Sequence, residues 1–142
     1  MADIVRISPQ QALDAMRAGA VYVDVRTPEE FADGHPEGAY NVPVALSSGG
    51  TMTPNEDFLS TMKAHFAPGV KIVLGCRSGG RSLRAAHALA AAGYTDVVDQ
   101  RAGWDGARDP FGQLVEPGWG RAGLPAATTP AAGRSWPELK RT

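Results

Sequence analysis

Cys76, Arg77, Ser78, Gly79, Gly80 and Arg81 stand in a row between an apolar run at 71–75 and a long alanine-rich helical pattern, and Cys76 is the only cysteine in the chain. Two glycines let the backbone turn its N–H groups toward one point. Arg77 and Arg81 add positive charge, and the helix that follows directs its positive N-terminal end to the same place. A thiol on such a cradle is expected to ionise readily and to meet anionic partners, because reactive cysteines sit in electropositive surroundings of this kind. Without the glycines and arginines, inert packing would be the better account of a cysteine at a strand end.

The elements around this row are legible from periodicity. Residues 4–7 and 21–25 read as strands, with a helix over 10–18 between them that Ser8 caps, Pro9 opens and Gly19 closes. Thr27-Pro28-Glu29-Glu30-Phe31 reads as a short capped helix ended by Gly34, 39–44 as an extended segment, and Ser47-Ser48-Gly49-Gly50 as a loop. A helix is expected from Asn55 to about Phe66, with Phe58, Leu59, Met62 and Phe66 on its buried face. The nearly uninterrupted apolar run before Cys76 fits a central parallel strand covered on both faces. A helix over 82–92 and a short last strand over 95–98 follow.

Strands alternating with helices predict an α/β domain with a mostly parallel sheet, whose ligands bind outside the carboxyl ends of the strands, where Cys76 lies. At 142 residues and 43% hydrophobic content the chain suits one such domain. Its formal net charge of −1 gives no basic footprint for nucleic acid or an anionic membrane, so anion recognition is expected to be local. The first seven residues carry an acid and precede no long apolar stretch, and a single cysteine forms no internal disulfide; both lead to the expectation of a cytoplasmic protein.

A strand ending in Cys-Arg-Ser-Gly-Gly-Arg-Ser and opening a helix closely resembles the rhodanese (sulfurtransferase) family. Residues 23–31 look like that family's first signature and 34–43 like its second, while Arg81-Ser82, Ala85-Ala86, Leu89, Gly93-Tyr94 and Val97 also fall where the family has them. The likeness spans roughly 4–105 in three separated motifs in the right order. It departs at Pro36, where members usually carry an apolar residue after the histidine, and at Arg101-Ala102-Gly103-Trp104, where they carry a Gly-Gly turn.

The resemblance implies a rhodanese-like fold, with a five-stranded, mostly parallel sheet flanked by helices on both faces and Cys76 as the catalytic nucleophile. The substrate-binding loop would run through Arg77, Ser78, Gly79, Gly80, Arg81 and Ser82. Thiolate attack on a small anionic sulfur donor such as thiosulfate would leave a persulfide, and cyanide or a thiol would then take the sulfur. Backbone N–H groups from Arg77 to Ser82 would hold the outer sulfur, Arg77 and Arg81 would orient the donor, and side chains at Gly79 or Gly80 would crowd the cradle. Neither metal nor organic cofactor is called for. The alternatives are a sulfur-relay or binding module for a protein partner, and a phosphatase or arsenate reductase of the same fold. Enzymes of the latter class have five residues between cysteine and arginine, one more than the four between Cys76 and Arg81.

Asp24, Arg26 and Glu30 are read as supporting residues, fixing loops near the site through ion pairs among themselves. The resemblance makes His35 structural, and His65 and His87 read as ordinary helix residues. Trp104 and Trp119 either line the pocket mouth or pack as core. Residues 1–124 are assigned to the domain, with 105–124 as a loop-rich insertion near the site, and 125–142 to a C-terminal tail that is either flexible or docked through Trp136.

Overall fold

Ile72, Val73, Leu74 and Gly75 form a strand with every residue buried, and successive side chains divide between two cores. Ile72 and Leu74 face one with Met62, Phe66, Leu89 and Trp136; Val73 faces the other with Ala12, Leu13, Phe31 and Trp119. A strand apolar on both faces needs cover on both, and helices supply it. The structure, a computed structural model, describes residues 3–140.

In chain order the elements are β1 (Val5–Ile7), α1 (Pro9–Arg17), β2 (Val21–Asp24), α2 (Pro28–Asp33), β3 (His35–Pro36), β4 (Tyr40–Asn41), β5 (Ala45–Ser48) and β6 (Thr51–Pro54). There follow α3 (Phe58–His65), β7 (Ile72–Gly75), α4 (Gly80–Ala91), β8 (Val97–Gln100), β9 (Gly106–Arg108), β10 (Leu114–Pro117), β11 (Ala126–Ala127) and α5 (Trp136–Leu139). The central sheet runs β1-β8-β7-β2-β4, all five strands parallel. This is the rhodanese-like α/β architecture the sequence implied. Among the described residues no helix is long and apolar enough to cross a membrane.

Local chemistry sets the helix starts. Ser8 and Gln11 form a reciprocal capping box on α1, and Thr27 and Glu30 form another on α2, each with proline at the first helical position. The helix expected from Asn55 begins at Phe58. Asn55 is buried, donates to Pro43 O at 2.8 Å and accepts from Asp57 N at 3.1 Å, which holds the chain in a turn. Helix α4 begins two residues before the expected Ser82, because Gly79 caps it from a left-handed conformation at φ +100°.

Two further differences bear on the site. The expected loop at 47–50 is the turn of the β5–β6 hairpin: Gly49 and Gly50 have φ +58° and +81°, as a two-residue hairpin turn demands. The strand expected at 95–98 is β8 at 97–100, and it lies in the middle of the sheet between β1 and β7. It ends in Asp99 and Gln100, both fully buried, which apolar patterning passes over.

Beyond β8 the chain forms the β9–β10 hairpin. Its C-terminal segment then packs back: β11 pairs with β3, and Trp136 and Leu139 are buried in the first core.

Candidate active site

Strand β7 delivers Cys76 to its carboxyl end, and α4 starts four residues later at Gly80. The thiol is 2% exposed. Its sulfur accepts a hydrogen bond from Gly79 N at 3.1 Å and lies 3.3 Å from the Ser82 hydroxyl. The carbonyls of Cys76 and Arg77 accept from Trp104 N at 2.8 Å and Asp105 N at 2.9 Å. Since peptide groups are planar and trans, carbonyls held outward turn the amides of Arg77 and Ser78 to the opposite side. The first-turn amides of α4 at Gly80, Arg81 and Ser82 have no acceptor within their own helix, so the loop concentrates donors on one side.

Segment 103–105 is therefore the underside of the loop. A Cβ on Gly103, at φ +66°, would come within 2.5 Å of both Cys76 O and Arg77 O. Gly79 is equally constrained, since its Cβ would meet Arg101 O at 2.5 Å and the Arg6 guanidinium at 2.7 Å. At Gly80 a Cβ would meet open space, so crowding accounts for the first glycine and not the second; and at Gly79 the obstacle lies outside the cradle.

Beneath the sulfur runs a buried polar chain. Ser82 donates to Asp99 Oδ1 at 2.5 Å, and Asp99 Oδ2 accepts from Arg6 Nε at 2.8 Å. Arg6 also donates to Gly79 O at 3.3 Å, tying β1, β8 and the loop together. Burial pushes the Asp99 carboxyl above its ordinary range, opposed by the hydrogen bonds from Ser82 and Arg6. Gln100, also fully buried, accepts from the amides of Ala102 and Gly103 at 2.8 Å each and donates to Gly103 O at 2.8 Å, fixing the turn that supports the loop. Sequence reasoning missed Asp99, Arg6 and Gly103. The available signal was a polar pair closing a β-branched run, because buried polar side chains demand partners.

Arg77 is exposed and faces a cleft of about 810 Å³ between the start of α4 and the β5–β6 hairpin. Arg81 also lines it, but its guanidinium makes a two-pronged bond to Glu30, at 2.7 and 2.9 Å. Burial alone would raise the Glu30 carboxyl; hydrogen bonds from Arg81 and the Thr27 amide, with the charges of Arg81 and Arg26, hold it down at about 2. Arg81, expected to receive an anion, thus has its charge compensated within the protein. Ser78 is exposed and Ser82 fully buried.

Asp24 and Arg26 pair with each other, not with Glu30: Nη2 to Oδ2 is 2.7 Å, with both side chains almost wholly buried. The same Arg26 Nη2 donates to Gly34 O at 2.6 Å, and the guanidinium lies 5.3 Å from the Trp104 ring centre. This pair thus braces Trp104, whose amide holds Cys76 O. His35 is buried, stacks on Phe31 at 3.7 Å and bonds Phe31 O through Nδ1 at 2.7 Å, a packing role. Trp119 is fully buried and donates to Pro125 O at 2.7 Å; neither tryptophan lines the cleft.

Comparisons with known proteins agree with this geometry. The chain is 40% identical over 119 residues to Thiosulfate sulfurtransferase 16, chloroplastic, of Arabidopsis thaliana, covering 84% of this chain and 89% of that protein. It is 33% identical over 124 residues to Thiosulfate sulfurtransferase GlpE of Haemophilus influenzae, covering 87% and 94%. Among solved structures, Rv0390 from M. tuberculosis superposes with a TM-score of 0.75 at 30% identity, over 90% of this chain and 100% of that one. The profile of the rhodanese-like domain matches residues 8–109, a span that runs through both upstream signatures, the Cys76 loop and the segment beneath it, and the protein belongs to that family.

Proposed function

We propose that the protein is a sulfurtransferase that moves a sulfane sulfur from an anionic donor such as thiosulfate to a thiophilic acceptor, cyanide or a thiol, through a persulfide on Cys76. The observation that carries this reading is the Cys76 sulfur set among inward-turned amides, with Gly79 N already donating to it. Relatives named thiosulfate sulfurtransferase, aligned over most of both chains, support it further.

The Cys76 thiolate attacks the outer sulfur of thiosulfate, forming an S–S bond as the bond to the sulfonate sulfur breaks and sulfite leaves with its electron pair. The resulting persulfide carries one negative charge on its outer sulfur, and loop amides stabilise it as an oxyanion hole stabilises developing charge. The acceptor then attacks that sulfur, and Cys76 leaves as thiolate. No second cysteine exists in the chain to resolve the persulfide internally, so an external acceptor completes the cycle. Four residues between Cys76 and Arg81, closed from below by 103–105, leave a ring suited to one sulfur atom rather than a tetrahedral oxyanion.

Intact-mass measurement after incubation with thiosulfate tests this directly. Wild type gains one sulfur, about 32 Da, and Cys76→Ala gains none; no gain on wild type from thiosulfate or polysulfide refutes the reading. A loaded protein that discharges to a protein thiol and to neither cyanide nor small thiols would make it a relay module.

A further inference from the structure

The polar chain under Cys76 runs through β1, β8 and α4, and the donor of each bond in it can be assigned. Arg6 of β1 can only donate, and its Nε meets Asp99 Oδ2 of β8 at 2.8 Å. Asp99 is fully buried, and its ion pair with Arg6 keeps the carboxylate an acceptor. The one hydroxyl proton of Ser82, on α4, therefore goes to Asp99 Oδ1 at 2.5 Å. What Ser82 turns to the Cys76 sulfur, 3.3 Å away, is then an oxygen lone pair. On another side the sulfur accepts from Gly79 N at 3.1 Å. A resting thiol completes this chain by donating its own proton to Ser82. The neutral inner sulfur of a persulfide also suits it, because the negative charge then lies on the outer sulfur. A bare thiolate does not: it faces a lone pair where a hydroxyl proton could have been, with the Asp99 charge behind. Of the cations nearby, Arg81 is engaged by Glu30 and Arg6 by Asp99 itself.

We propose that Asp99 is a positioning residue that tilts Cys76 toward its sulfur-loaded form, by taking the Ser82 proton and so withholding it from the empty thiolate. The assignment rests on the sulfurtransferase reading above. Loading is reversible: Cys76 thiolate and thiosulfate give the persulfide anion and sulfite. One S–S bond forms as the other breaks, the charges balance, and neither oxidant nor reductant enters. A thiolate stands on one side of this balance only. An orientation of Ser82 that disfavours it therefore favours the persulfide, and the protein holds its sulfur until an acceptor attacks. The loop amides act on the outer sulfur and the Ser82–Asp99 pair on the inner one, so the two ends of the persulfide answer to two sets of groups.

The test equilibrates the protein with mixtures of thiosulfate and sulfite at about pH 9, above the ordinary thiol value of about 8.5, and reads the loaded fraction by intact mass. The thiosulfate-to-sulfite ratio at half loading gives the loading constant. In Asp99→Asn the amide oxygen turns to Arg6 and the NH2 to Ser82, whose proton is then released to the sulfur. The loading constant is expected to fall roughly tenfold or more, the scale of a hydrogen bond to a charged group. Asp99→Ala, with folding checked by circular dichroism, is expected to lower it as well and serves if Asp99→Asn does not fold. Added to Ser82→Ala, the same substitution at Asp99 is expected to change the constant by less than about threefold, because its route to the sulfur is gone. A purely structural Asp99 would move the melting temperature and leave the constant alone. That result, or an equal shift with and without the Ser82 hydroxyl, overturns the proposal. Protein that never gains a sulfur from thiosulfate overturns the transfer reading itself, a result distinct from loading with an unaltered constant.

Discussion

Glu30→Gln separates the two jobs of one side chain. Glutamine keeps the capping box on α2, since its amide oxygen can still accept from Thr27 N, but it removes the charge that engages Arg81. In the folded protein the Glu30 carboxyl is held at about 2, against an ordinary value of 4.5. At about 1.4 kcal/mol per tenfold that interval sets a ceiling of roughly 3 kcal/mol. Glu30 is 29% exposed, so solvent screening reduces the expectation to about 1–2 kcal/mol. For a chain of this length that is a fall in Tm of about 3–8 °C at pH 7. Because the carboxyl is depressed in the native state, its contribution is complete above pH 4.5 and disappears as the pH falls toward 2. Thermal melts of both proteins, followed by circular dichroism from pH 7 down to pH 2, are therefore expected to converge across that window. The same substitution releases the positive charge of Arg81 into the cleft, so the KM for thiosulfate is expected to fall while stability falls. A Tm gap that persists at pH 2, or a KM that rises, would refute the view that Glu30 holds Arg81 away from substrate.

Asp99→Asn is expected to act in the opposite pH sense. Burial raises the Asp99 carboxyl, so wild type gains stability as the pH falls from neutrality toward 3.8, and in urea melts its advantage over the variant should widen in that direction; a gap that narrows instead would contradict the assignment. Because Arg6 can only donate, the new amide turns its oxygen to Arg6 and its NH2 to Ser82, whose hydroxyl then accepts and releases its proton to the sulfur 3.3 Å away; iodoacetamide should alkylate Cys76 roughly 2–10-fold faster at pH 7. Gly103→Ala is expected to cost about 1–3 kcal/mol and slow sulfur loading at least tenfold, since its Cβ meets two loop carbonyls at 2.5 Å. Gly123→Ala is the control, with a similar φ of +71° and open space around it; if it slows loading as much, backbone strain and not loop support is responsible.

What the sequence revealed and what it hid follow from how each feature is encoded. Capping residues such as Ser8 and Thr27 act within four positions, so α1 and α2 were readable locally. The Cys76 loop was readable for the same reason: its glycines and first-turn amides are contiguous. The engagement of Arg81 was not legible because its partner, Glu30, lies 51 residues away, and charge alone does not say whether an arginine is already paired. Asp99 and Gln100 interrupt an apolar run in a strand paired on both sides, which makes sense only once Ser82, Arg6 and the 101–103 turn are brought to them. The turn of the β5–β6 hairpin, which walls the cleft opposite α4, read as a loop because its pairing is visible only once Ala45 and Pro54 are brought together. Docking through Trp136 was one of two readings the sequence left open, and the core it enters decides for it.

The bonds from Trp104 N and Asp105 N to the carbonyls of Cys76 and Arg77, with Gly103 pressed between them, make the Cys76 loop a casting and the distant turn its mould. A mould constrains descent as well as shape. Inserting one residue between Cys76 and Arg77 would put the Arg77 carbonyl out of register with the Asp105 amide that now receives it, while an insertion after Arg77 would leave both of these bonds in place. The mould therefore fixes the first half of the loop, and a longer, oxyanion-sized ring is compatible with it only where the extra residue enters among 78–80.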